Sequence, residues 1–124
     1  VIAALEKISY KEFSVELRGV GAFPDTRMMR VIWIGAASRE LIELAELVNS
    51  ALAGIGKDEE NFTPHLTIAR IKYISNRERI LNLMTGSKTF GSFKVNEFAL
   101  MMSELKPDGP RYSKIRGFSL IHTA

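Results

Sequence analysis

Phe62-Thr63-Pro64-His65-Leu66-Thr67-Ile68-Ala69-Arg70 alternates side chains with a period of two from His65 to Ile68. That is the period of an extended strand, so His65 and Thr67 point one way while Leu66 and Ile68 point the other. Pro64 suits the first position of such a strand, where its missing N–H costs no ladder bond, and it pushes Thr63 towards extended backbone. The apolar pair is expected to face a core. An imidazole and a hydroxyl are then displayed together on the opposite side.

The 124 residues suit one domain, 1–124, and 46% hydrophobic with 25% charged residues is the balance of an ordinary globule. No cysteine is present, which excludes disulfides, thiolate metal sites and cysteine nucleophiles and favours a reducing compartment. No apolar run reaches the roughly 18 residues of a membrane span, and no signal peptide is visible. Lys plus Arg number 17 against 14 Asp plus Glu, a formal charge of +3. This mild basicity favours an anionic partner without identifying a nucleic-acid binder. Ile2-Ala3-Ala4-Leu5-Glu6-Lys7-Ile8 reads as the last turns of a helix, and Val1 in place of Met suggests a fragment.

Alternation of Phe13, Val15 and Leu17 with Ser14, Glu16 and Arg18 predicts a half-buried strand at about 12–18, ended by a turn-rich loop over Gly19, Gly21 and Pro24-Asp25. The run from Arg30 to Gly35 predicts a strand buried on both faces, with Trp33 in the core. Ser38 caps a helix at about 39–53 whose stripe is Leu41, Leu44, Val48 and Leu52, and Gly54 ends it. Lys57-Asp58-Glu59-Glu60-Asn61 reads as a solvated loop. The central strand runs over about 64–72. Ser75-Asn76-Arg77-Glu78 has a capping-box pattern, starting a second helix at about 76–85 that Gly86 stops. Further strands are expected around Phe90–Val95, interrupted by Gly91, and around Phe98–Met102. Pro107-Asp108-Gly109-Pro110 is a turn, and a last strand covers about 111–121. Six strands and two helices in the order β, β, α, β, α, β, β, β give an α+β domain with a largely antiparallel sheet.

An imidazole titrates near neutral pH and serves as general base or acid, and a neighbouring hydroxyl can donate to a phosphate oxygen. A bare His-x-Thr is equally the pattern of a strand histidine that bonds a neighbour and does nothing else. Zinc needs three or four ligands, which this composition does not offer. No Gly-x-Ser-x-Gly elbow, Walker loop or Gly-x-Gly-x-x-Gly occurs.

The stretch from Phe62 to Arg70 resembles the second His-x-Thr motif of the 2H phosphoesterase superfamily, in its LigT-like branch of RNA 2′,3′-cyclic phosphodiesterases, also called 2′-5′ RNA ligases. So do Glu16-Leu17-Arg18-Gly19-Val20-Gly21-Ala22-Phe23-Pro24, Arg30-Val31-Ile32-Trp33-Ile34-Gly35, Phe90-Gly91-Ser92-Phe93, Ser103-Glu104-Leu105 and Gly109-Pro110-Arg111-Tyr112, in the right order over about residues 11–121. The resemblance implies a LigT-like, bilobed fold with an internal pseudo-repeat, each lobe bringing one His-x-Thr to a shared cleft. It implies opening of a 2′,3′-cyclic phosphate at an RNA end to a 2′-phosphate, with no metal or other cofactor, and in some members joining of tRNA halves through a 2′-5′ bond. A cytoplasmic monomer is expected.

Two histidines are needed because the attacking and leaving oxygens lie on opposite sides of phosphorus. His65 fills one role, with Thr67 as phosphate ligand. The resemblance also suggests Arg70 as a cleft arginine, although strict alternation turns it away from His65 unless the strand bulges. Lys72 and Arg111 are candidates for backbone phosphates or ordinary solvated charge. Tyr112 either stacks on a base or packs in the core, and packing is the simpler expectation. The first His-x-Thr is expected ahead of Val1. His122-Thr123 does not replace it, since its threonine is adjacent, and His122 reads as a tail residue. The chain alone is therefore expected to be inactive and the parent protein active. The alternatives are a non-catalytic RNA-binding module that keeps half of the cleft, and a plain interaction domain.

Overall fold

The described residues, 1–56, 62–86 and 88–123 of the computed structural model, form three helices and six strands. In chain order these are α1 (Ile2–Glu6), β1 (Phe13–Pro24), β2 (Met29–Ala37), α2 (Arg39–Ala51), β3 (His65–Arg70), α3 (Arg77–Leu83), β4 (Thr89–Val95), β5 (Glu97–Lys106) and β6 (Gly109–Ser119). The α+β class and the mainly antiparallel pairing agree with expectation. The third helix, α1, is the short N-terminal stretch that the sequence suggests as helix ends. The charge run at 57–61 lies outside the described residues.

The chain divides into two compact units, one of Ser14–Ile42 and Asn61–Phe93, the other of Val1–Phe13, Glu43–Glu60 and Lys94–Ala124. The first holds a four-stranded sheet in the order β3-β2-β1-β4. Its β1 is longer than the alternation predicts, and the loop expected at Gly19–Pro24 is strand. Gly19 adopts φ +75, a conformation open to glycine. There the register against β2 slips by one, from Arg18↔Gly35 to Val20↔Ile34. A glycine that reads as a loop signal is thus a bulge that lets the strand continue. Its N–H donates to the Lys88 carbonyl at 3.0 Å.

Helix α2 starts as expected, with the Leu41 N–H donating to Ser38 Oγ at 3.1 Å, and Gly54 follows it at φ +80. Helix α3 starts one residue later than the pattern suggests. Its cap is Asn76, whose Oδ1 accepts the Arg79 N–H at 3.2 Å, and not Ser75. Strand β4 is not interrupted at Gly91, which at φ +151 lies within the strand.

In the second unit β5 and β6 form an antiparallel ribbon joined by the two residues Pro107-Asp108, with Phe98 and Phe118 stacked at 5.0 Å between ring centroids. Leu5, Phe13, Leu44, Phe118 and Leu120 are its buried apolar residues. Residues just past β6 are held too. The Glu12 N–H donates to the Ile121 carbonyl at 2.9 Å and the Ile121 N–H to the Tyr10 carbonyl at 2.9 Å. The buried Glu12 carboxylate accepts Lys94 Nζ at 2.8 Å and the Thr123 N–H at 3.0 Å, and stands 2.7 Å from His122 Nδ1. His122, the exposed residue read as tail, is thus tied to a carboxylate.

Candidate active site

The ladder register fixes what shares a face with His65. Residues directly opposite across antiparallel strands point to the same side. His65 opposes Gly35 and Thr67 opposes Trp33. The register then slips, so that Ala69 opposes Ile32 and Arg70 opposes Val31, leaving Ile68 as the extra residue of a bulge. Gly35, Trp33 and Val31 are alternate residues of one strand. Arg70 is thereby returned to the side of His65 and Thr67, where unbroken alternation would have turned it away. The ladder is extended at both ends, by Ala36 N–H to the Pro64 carbonyl at 3.1 Å and Ile71 N–H to the Arg30 carbonyl at 2.8 Å.

The same face continues onto β1 with Arg18, Gly21 and Phe23, the partners of Gly35, Trp33 and Val31. Two glycines make room on it. A Cβ on Gly21 would lie 2.1 Å from Cζ2 of Trp33, so the indole occupies the space a side chain would take. Gly35 places no side chain beside the imidazole, and a Cβ there would meet the Arg18 carbonyl at 2.5 Å. The His65 ring stands edge-on to Phe23, with centroids 4.9 Å apart at 88°, and 6.3 Å from Trp33. Phe23 and Trp33 touch each other at 5.3 Å. Trp33 is only partly buried and supports the histidine, which corrects its reading as a core residue. Its buried Nε1 has no acceptor among the described residues, and the ring contacts Phe23, His65 and the open face of Gly21.

His65 Nδ1 lies 2.6 Å from the Thr63 carbonyl oxygen. A carbonyl only accepts, so Nδ1 carries the proton and Nε2 is the nitrogen left to exchange one. His65 and Thr67 are both exposed. Their Cα atoms are about 7 Å apart along an extended strand, a span across which one phosphate can be held from both ends. Leu66 and Ile68, expected to face a core, are 50% and 52% exposed. β3 is the edge strand of its sheet, and the bulge lifts Ile68 out of the ladder.

Lys72 follows β3 and is exposed. Arg111 and Tyr112 belong to β6, in the other unit. Arg111 is 3.7 Å from the Asp108 carboxylate, and Tyr112 is exposed, which removes its core-packing alternative. The residues that sequence reasoning missed are Phe23, Gly21, Gly35 and Arg18. For Phe23, Gly21 and Arg18 the signal was a strand reading of 18–24, which the glycines hid. Arg18 is paired with Glu16, donating from Nε at 2.6 Å, and the Thr89 hydroxyl reaches the same carboxylate at 3.4 Å. Among the described residues no three of His, Cys, Asp and Glu come together as a metal site would require.

Comparison with known proteins agrees with this architecture. Residues 1–107 match the family model of the 2′-5′ RNA ligase superfamily. An RNA 2′,3′-cyclic phosphodiesterase of Methanocaldococcus jannaschii is 35% identical over 112 residues, 88% of this chain and 65% of that protein. A crystal structure from Thermus thermophilus superposes with a TM-score of 0.79 at 30% identity, covering 99% of this chain and 69% of the other. Escherichia coli LigT complexed with 3′-AMP gives 0.71 at 25% identity, covering 97% and 64%. The chain thus spans just under two thirds of the length of the first of these relatives. With a family model matching most of its length and a LigT-like fold, the chain belongs to the 2′-5′ RNA ligase superfamily, the 2H phosphoesterases.

Proposed function

We propose that this chain supplies half of the active site of an RNA 2′,3′-cyclic phosphodiesterase that opens a terminal cyclic phosphate to a 2′-phosphate. One observation carries the reading: His65 Nδ1 is committed to the Thr63 carbonyl while Thr67 and, through the bulge, Arg70 share its exposed face. The carbonyl partner serves the neutral ring and the imidazolium alike. Nε2 can therefore take a proton or give one without the ring turning.

In the reaction water attacks phosphorus and the bond to the 3′ oxygen breaks. The water proton goes to a base, and the departing 3′ oxygen takes one from an acid on the other side. His65 holds one of these posts. Thr67 donates to a non-bridging oxygen, and Arg70 balances charge that grows there. The opposite post needs a second imidazole. The length of the relatives leaves room for it in a further segment of the parent protein, and the 124 residues alone are then inactive. A 5′-hydroxyl in place of water would give a 2′-5′ bond by the same displacement, as with tRNA halves. The names of the relatives and the 3′-AMP held by Escherichia coli LigT support an RNA-end substrate.

The test is hydrolysis of a 2′,3′-cyclic mononucleotide by the full-length protein with chelator present. Turnover should persist in chelator and be lost in His65→Ala. Full turnover in that variant would exclude the assignment. RNA binding without any turnover would favour a non-catalytic RNA-binding module.

A further inference from the structure

Two segments near the Arg70 end of β3, a turn running into β2 and a loop running into α3, carry a second surface. Residues 25–30 and 71–80 are tied together where the Ile71 N–H meets the Arg30 carbonyl at 2.8 Å and where the Arg77 guanidinium donates to the Thr26 carbonyl. Two open grooves of about 480 and 280 Å³ share the stretch 71–74 as common lining. Both volumes are near the lower range of small-ligand sites, roughly 300–1,000 Å³.

The chemistry of the lining is lopsided. Arg79 and Lys72 border the first groove and Arg27, Arg30, Arg77 and Lys72 the second. Among the described residues no carboxylate pairs with any of them, whereas Arg18, Lys94, Lys106, Arg111, Lys114 and Arg116 each hold an acidic partner. The nearby Asp25 carboxylate is occupied by the backbone N–H groups of Arg27 at 2.8 Å and Met28 at 3.0 Å. Glu78, in the first turn of α3, is the remaining acid of the two segments, so cations are in clear excess. Among them Tyr73 is 84% exposed, an aromatic face presented to solvent on a charged surface.

We propose that this surface binds the body of a single-stranded RNA whose end occupies the His65 face, an inference that rests on the RNA-end reading above. Unpaired guanidinium groups neutralise successive phosphates. An exposed ring offers a stacking platform to any base, which a strand has free and a duplex does not. Arg70 joins the two regions, as it shares the His65 face and also lines the larger groove. The surface therefore sets preference for a polynucleotide over a mononucleotide and leaves the chemical step untouched.

The test uses the full-length protein, a short single-stranded RNA ending in a 3′-hydroxyl for binding, and a 2′,3′-cyclic mononucleotide for turnover. Charge reversal by Arg27→Glu, Arg30→Glu and Arg79→Glu together should weaken RNA binding at least about tenfold. The slope of log affinity against log salt should fall by about 0.7 for each phosphate no longer neutralised. Tyr73→Ala should weaken binding at least about fivefold with the slope unchanged. Mononucleotide turnover should stay at the wild-type value in both. The neutral set Arg27→Gln, Arg30→Gln and Arg79→Gln should give an intermediate loss, separating charge from misfolding. Unchanged RNA affinity in the reversed variant overturns the proposal. So does equal loss of mononucleotide turnover, which would place these residues in the catalytic face. Loss of poly-glutamate binding matching that of RNA, with Tyr73→Ala silent, also overturns it in favour of an acidic protein partner. Because the binding arm needs no reaction, absence of turnover in the wild type would count against the phosphodiesterase reading alone.

Discussion

The two histidines of this chain are both held at Nδ1, and by opposite kinds of partner. In the four-stranded unit His65 Nδ1 meets the Thr63 carbonyl and the ring is propped edge-on by Phe23. In the ribbon unit His122 Nδ1 meets the carboxylate of Glu12. A neutral carbonyl positions a ring and leaves its second nitrogen free to exchange protons. A carboxylate that also serves Lys94 and the Thr123 N–H makes the ring one strut among three. Under the proposed function the difference gives chemistry to His65 and architecture to His122.

The sharpest way to break this comparison is to remove each ring in the full-length protein. His65→Ala should lower kcat on a cyclic nucleotide by roughly 10²–10⁴, the usual worth of a general acid or base. His122→Ala, an exposed surface change, should leave kcat within about twofold. Equal losses from the two would end the distinction.

Thr67 comes next. Thr67→Val keeps the shape and removes the donor, and should cost roughly 10²-fold in kcat, the scale of a lost oxyanion donor. Thr67→Ser should recover most of it. If valine is tolerated, the hydroxyl does not touch the phosphate.

The two units were unequally legible in the sequence. Turn chemistry at Pro107-Asp108-Gly109 gives the ribbon its reversal, and Ser38 and Gly54 bracket α2 as their chemistry requires. The His65–Thr67 pair follows from period two alone. What stayed hidden is every feature that depends on register across strands. No local pattern reports that Ile68 is an extra residue, so Arg70 reads as facing away. Gly19 and Gly21 read as a loop because glycine breaks strands more often than it bulges them or clears space for a neighbour. Trp33 reads as core because a large apolar ring in an apolar run normally is. The competing fact, a glycine directly opposite it, lies on another strand.

That last point is testable as a stability effect. Gly21→Ala puts a methyl into the Trp33 ring, whose Cζ2 would be 2.1 Å away. Overpacking of this kind costs about 1–3 kcal/mol, measured as a lower denaturant midpoint. Trp33→Val in the same chain should recover part of the loss, since the two positions share one space. Additive losses would mean that the indole does not need the glycine.

The smallest effect belongs to the ribbon unit. Glu12 has its pKa held below the ordinary value of 4.5, first by the hydrogen bond from Lys94 and then by the Thr123 N–H, with burial opposing. A carboxyl with a lower pKa folded than unfolded adds stability at pH values above the unfolded value. That stability is lost as pH falls through the folded one. Wild-type stability relative to Glu12→Gln should therefore be greatest near neutrality, begin to shrink near pH 5, and vanish at pH values below the lowered pKa. Denaturant midpoints taken across that range would read it, and a gap independent of pH would show that the charge of Glu12 holds nothing. Near neutrality His122→Ala should move the midpoint less than Glu12→Gln. The His122 side chain is 80% exposed against 5% for that of Glu12, so its removal leaves the carboxylate with Lys94 and the Thr123 amide, whereas the glutamine removes the charge on which all three converge.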